Sequence, residues 1–220
     1  RQNQAEDMEH FELQLNKMSV SGALFDMVKL LDVSKSVISR FDAEKVYNES
    51  LKWAEKYDAE LAEMLKADKE YALKIFGIER GNKKPRKDIA KWSDVKHEIS
   101  YMYDEKFYAQ NVNYEYQKIS DSDKIKTILD EYINNYFDEN DDKQEWFNKI
   151  KELAGKLGYA REVKEFKANP DKYEAHVGDV STVLRIALTG RSNTPDMYEI
   201  MEIMGKDRIK ERFEHAKKEL

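Results

Sequence analysis

The chain has 220 residues, no cysteine, three prolines and eight glycines, with 37% charged residues and a net charge of −6. The missing cysteines exclude disulfides, thiolate metal sites and cysteine nucleophiles, and so few turn formers beside so many charges exclude a turn-rich β protein in favour of solvated helices. No apolar run approaches the roughly 20 residues that span a bilayer and no signal-peptide pattern opens the chain, so a cytoplasmic protein without membrane contact is expected, and Arg1 in place of methionine points to a piece of a longer chain.

Residues 1–10 lack apolar periodicity, and the alternation of Phe11, Leu13 and Leu15 allows a short strand. From Asp32 the pattern is helical. Asp42 is the expected N-cap of a helix that places Tyr47, Leu51 and Ala54 on one face. Asp58 and Asp68 start two shorter helices, the second carrying Leu73 and Phe76 up to Gly77. Residues 79–87 break the pattern with glycine, asparagine and proline. Ser93 or Asp94 restarts it, with Val95, Ile99 and Met102 as its buried stripe. The tyrosine-rich stretch 103–120 has no clear period, and a boundary between two helical subdomains is expected near residue 112.

Ser120 and Asp123 form a capping-box-like start for a helix striped by Ile125, Ile128, Leu129, Tyr132 and Tyr136. Asp141 opens the next, with Trp146, Ile150, Leu153 and Leu157 before Gly158. A short helix follows from Arg161 to Lys167, ending at Asn169-Pro170. Another runs from Val180 to Thr189, where Gly190 supplies the left-handed closing residue. Thr194 then reads as an N-cap with Pro195 at the first helical position. That elbow would hold Arg191, the Thr194 hydroxyl and free helix-start amides at one surface, which suits an anion or a splayed base. Leu188, Ile200, Ile203 and Met204 read as core, and the last helix carries Ile209, Phe213, Ala216 and Leu220. The class is all-α, two consecutive helical subdomains of packed short helices, divided as a lead-in (1–30), a proximal unit (31–112) and a distal unit (113–220).

Charge is unevenly spread. Arg80 to Lys96 holds seven Lys/Arg against two Asp, a balance of +5, whereas Asp130 to Glu145 holds seven acids against one lysine, a balance of −6. Screening beyond roughly 8–10 Å lets the basic segment attract phosphates while the acidic one faces elsewhere. The four histidines are scattered without metal-ligand spacing, and no glycine-rich phosphate loop is present. No catalytic constellation emerges, which leaves recognition. A helical protein-interaction or scaffolding module with no RNA role fits the same composition.

Three blocks carry a family resemblance. LRIALTGRSNTPDMYEIMEIMGKDRIKER (184–212) is similar to the distal end of bacterial glutamyl-tRNA synthetases, with its leucine–arginine pair, Ala-Leu-Thr-Gly, Thr-Pro, and a helix ending near Gly-Lys-Asp-Arg. IERGNKKPRKDIAKWSDVKHEISYMYDEKF (78–107) resembles the preceding anticodon-binding domain of the clostridial-type enzymes, and KMSVSGALFDMVKLLDVSKSVISRF (17–41) resembles the join leading out of the catalytic half. Lys17 to Ser21 also looks like the lysine-serine loop that holds ATP phosphates in class I synthetases. That reading is rejected, because only sixteen residues precede it and Val20 stands where a basic residue is usual. Packing roles for Leu24 and Phe25 are expected instead.

The resemblance implies the anticodon-binding region of a class I glutamate–tRNA ligase without its catalytic domain, inactive alone. The parent would use ATP and magnesium, and this piece would hold no cofactor or metal. Its partner would be the anticodon loop of tRNA(Glu), with no DNA or membrane role and a monomeric state. By the match of Pro85-Arg86 and Lys91-Trp92, Arg86 takes the family role of reading the third anticodon base, with Arg80 as the rival because Gly81 to Lys84 look inserted. Arg185 follows Leu184 as the family's base-contacting arginine follows its leucine, Thr194, Pro195 and Met197 match the positions that hold the first two bases, and Lys84, Lys87 and Arg191 supply further contacts. Whether the parent also charges glutamine tRNA stays open.

Overall fold

The structure, a computed structural model, describes residues 26–110 and 112–220 together with Asn16. The strand expected at Phe11–Leu15, the Lys17–Ser21 segment and the packing expected of Leu24 and Phe25 lie outside the described residues. The described chain is all-α. Its helices are α1 (Met27–Ile38), α2 (Ala43–Tyr57), α3 (Ala59–Ala67), α4 (Lys69–Gly77), α5 (Val95–Ile99), α6 (Asp104–Ala109), α7 (Ser122–Glu131), α8 (Lys143–Lys156), α9 (Val163–Ala168), α10 (Val177–Thr189) and α11 (Met197–Lys218). The extended pairing among the described residues is a single parallel bridge between Ala160 and His176.

Aspartate sets most of the helix starts. The carboxylates of Asp26, Asp42, Asp58, Asp68, Asp121, Asp142 and Asp196 each accept a bond from a first-turn amide. Such a cap satisfies an orphan N–H and places a negative charge on the positive end of the helix dipole, a gain of about 0.5–2 kcal/mol each. Three expected starts move accordingly: from Ser120/Asp123 to Asp121, from Asp141 to Asp142, and from Thr194 to Asp196. The helix expected from Val180 begins at Val177, capped by His176, so Gly178 lies inside it. The stretch 103–120 contains α6, a helix too short to show a period.

The helices bury one continuous apolar cluster running from Ile38 to Ala216. The expected stripes supply much of it, including Val95, Ile99, Met102, Ile125, Ile128, Leu129, Ile150 and Leu153. Past α7, residues Tyr132–Tyr136 continue as a π-helical turn that buries Tyr132, whose hydroxyl accepts from Trp146 Nε1 at 3.0 Å and reaches Met201 Sδ at 3.3 Å. Helix α11 is kinked at Gly205 (φ 73°, ψ 166°). The Glu139 carboxylate accepts from Lys206 N there at 3.0 Å, capping the restarted helix.

Candidate nucleic-acid interface

Two irregular segments far apart in the chain build the candidate site: the loop from Glu79 to Ala90 and the elbow from Gly190 to Asp196. Gly190 closes α10 at φ 69°. A Cβ on it would meet Val112 Cγ1 at 2.7 Å, so both backbone conformation and space demand glycine. A reciprocal clasp joins the two segments: Glu79 N donates to Glu199 Oε2 at 3.0 Å, and Asp196 N donates to Glu79 Oε2 at 3.1 Å. Glu79 adopts φ 57°, a left-handed value that a non-glycine residue holds only where its surroundings enforce it.

Arg86 spans the junction. Its Nη1 donates to the Thr194 carbonyl at 2.7 Å, its Nη2 to Asn193 Oδ1 at 3.2 Å, and its Nε to Asp88 Oδ2 at 2.5 Å. Arg185 arrives from α10 on the same carbonyl at 3.2 Å, and its Nη1 also reaches the Thr194 hydroxyl at 2.7 Å and the Pro195 carbonyl at 3.3 Å. Two guanidinium groups thus share one oxygen. Burial, and after it the Arg86 charge, push the Arg185 guanidinium below its ordinary pKa, so an incoming acceptor or anion would relieve a like-charge contact.

The remaining expected site residues are placed as follows. Arg80 turns inward, its Nη1 donating to the Ile38 and Phe41 carbonyls at 3.0 and 3.1 Å, where it closes the end of α1. Arg191 Nη2 donates to the His97 carbonyl, and its guanidinium lies 5.0 Å from the Tyr101 ring centroid. Lys84 and Lys87 are exposed. Thr194 is buried, and its hydroxyl accepts from Arg185 while donating to the Pro195 carbonyl at 3.0 Å. The hydroxyl is therefore spent on holding the elbow and does not cap the helix. One of the free amides expected at that helix start, Glu199 N, is likewise taken, by the Asp196 carboxylate, which Lys143 pairs at 2.7 Å. Met197 is 2% exposed and packs into the core.

A groove of about 840 Å³ opens beside this junction, with Arg86, Arg185, Asn193, Lys143, Trp146 and Phe147 on its walls. A second, of about 470 Å³, lies across Arg86 and Asn193 and is lined by Lys35, His97, Asn113 and Gln117 among others. Asn193 and the two aromatic rings escaped the sequence reading. Trp146 and Phe147 are half-buried, so their apolar bodies serve the helix stripe while part of each ring stays open to solvent. Only the tertiary approach of α8 to the elbow brings them to the wall of this groove.

Guanidinium donors beside open aromatic rings define a surface for recognition. The chain belongs to the anticodon binding domain family, which matches residues 59–217. Over 218 residues it is 44% identical to a glutamate–tRNA ligase of Acetivibrio thermocellus, a match covering 97% of this chain and 38% of that protein. It is 42% identical to a glutamate–tRNA ligase of Clostridium perfringens over 96% of this chain and 38% of the relative. A glutamate–tRNA ligase of Sorangium cellulosum is 41% identical over 92% of this chain and 35% of its own length. The chain therefore spans little more than a third of the curated relatives it matches. Among the described residues no helix is long and apolar enough to cross a membrane, and no group of three or more His, Cys, Asp or Glu side chains is gathered to hold a metal.

Proposed function

We propose that this chain is the anticodon-recognising part of a glutamate–tRNA ligase, and that the two grooves beside Arg86 receive unstacked bases of the glutamate tRNA anticodon loop. The observation that carries the reading is the fixation of Arg86. Three of its N–H groups are held by Asp88, Thr194 and Asn193. A guanidinium has five, which leaves two donors for the Watson–Crick edge of a splayed base. Such contacts discriminate by about 1–3 kcal/mol per well-made pair. The engagement of Arg80 with the end of α1 favours Arg86 as the reader of the third base. Arg185, Thr194 and Pro195 shape the elbow, with Met197 beneath it, while Lys84 and Lys87 meet the phosphate backbone and Arg191 holds the elbow to Tyr101. The longer enzyme would attach glutamate to tRNA with ATP and magnesium, as a cytoplasmic monomer, through residues upstream of this chain. The proximal unit (31–112) and the distal unit (113–220) act as the two jaws of the site.

Binding of the chain to the anticodon stem-loop of glutamate tRNA tests this reading. Affinity should exceed that for an unrelated hairpin and fall with added salt as phosphate contacts release counterions. Arg86→Lys, which keeps the charge but loses the planar fork, should cost about tenfold in affinity and flatten preference at the third anticodon position, with the salt dependence retained. Equal affinity for both hairpins at low salt would instead leave a helical protein-interaction module.

A further inference from the structure

The amide of Asn193 is exposed, and it stands where the two grooves meet. Its partner is Arg86 Nη2 at 3.2 Å. A guanidinium only donates, so only the oxygen of the amide can face it, and this fixes which end of the Asn193 side chain points outward. The outward end is Nδ2, carrying two N–H donors. The carbonyls of Thr194 and Pro195 beside it are already engaged, the first by both arginines and the second by Arg185 and the Thr194 hydroxyl. At the Asn193 amide itself a visitor therefore meets donors. An exocyclic amino group placed against it would lose its hydrogen bond to water without replacement, whereas a base carbonyl oxygen or unprotonated ring nitrogen would be satisfied.

Resting on the anticodon reading above, we propose that Asn193 is a specificity-determining residue, whose Arg86-oriented amide reads a base carbonyl at one anticodon position and disfavours an amino group there. The test measures affinity of the full chain for the glutamate anticodon stem-loop and for variants changed at one anticodon position at a time, at fixed salt. In Asn193→Ala the preference for the carbonyl-bearing base should shrink about fivefold to tenfold at a single position, with the other two unchanged. Asn193→Asp keeps an acceptor for Arg86 but presents a second acceptor outward, so preference at that same position should turn toward the amino-bearing base. An equal loss on every stem-loop in the alanine variant, or unaltered selectivity in both variants, would overturn the assignment and leave Asn193 a support for Arg86. If the wild-type chain itself fails to distinguish the glutamate loop from an unrelated hairpin, the anticodon reading fails first and this inference falls with it.

Discussion

At Arg212 a positive charge lies fully out of solvent, at 0% exposure. Its guanidinium stacks 3.5 Å from the Phe107 ring centroid, pairs with Asp104 at 2.5 Å, and donates to the Leu188 carbonyl at 3.3 Å. Those partners come from α6 and α10, so one side chain on α11 holds the early and late halves of the chain together. Truncation leaves a cavity, an unpaired carbonyl and a partly buried carboxylate. Arg212→Ala should destabilise by about 3 kcal/mol or more, read as a lowered urea midpoint. Arg212→Met, which refills the volume without the charge, should recover part of that loss; an equal loss in both variants would remove packing from the account. Arg212 stands three residues after Ile209 and four before Ala216, on the same helix face as both, and only its charge hid it from the expected core positions. Arg86 differs, because the preceding proline and the break in periodicity set it apart, and resemblance supplied its role. Asn193 was hidden in a polar elbow where every residue looks solvated.

At the scale of elements, α11 shows why boundaries shift. The sequence leads one to expect a helix ending near Gly-Lys-Asp-Arg and a last helix carrying Ile209; the two join as α11 across a kink, where Gly205 takes a φ/ψ pair that only glycine tolerates and Glu139 caps the segment beyond it. The kink turns Ile209, Phe213 and Ala216 into the core from a new direction. Gly205→Ala would meet no steric obstacle closer than 3.8 Å, so its cost is backbone strain of about 1–3 kcal/mol, visible as a lower thermal midpoint. A midpoint that rises, as helix propensity alone would give, would show that the kink can straighten without penalty. Helices with strong apolar stripes and an aspartate in front were legible: α2, α3 and α4 begin where expected. Starts were missed where two polar residues compete for the cap, as at Asp141 and Asp142, or where a plausible cap is diverted. Thr194 is the clearest diversion, its hydroxyl claimed by Arg185 from the preceding helix. The short α6 was illegible because barely two turns cannot establish a period.

Across the whole molecule, carboxylates bind the helical units together, and this sets the acid response. Lys106 and Lys96 bond Glu60, with the Lys106 bond the larger cause, and lower its pKa from 4.5 to about 2. Burial opposes ionisation of Asp104, but hydrogen bonds and charge from Arg208 and Arg212 outweigh it and hold its carboxyl below the ordinary 3.8. A depressed folded-state pKa gives stability that is complete above the unfolded value and is lost as pH falls through the folded one. Thermal midpoints should therefore be flat near neutrality and drop between about pH 4.5 and 2, the range that Glu60 spans. Asp104→Asn should lower the midpoint at pH 7 and leave a shallower acid slope; an unchanged slope would assign the acid response to other carboxylates.

The Arg86–Thr194 contact joins residues 108 apart in sequence. Neither partner presents its bonding pattern until the early helices have settled against the late ones. Under the proposed function, discrimination among nucleotides is a property of tertiary assembly, and a lesion outside both grooves, at Arg212 for instance, would blur selectivity before it unfolded anything.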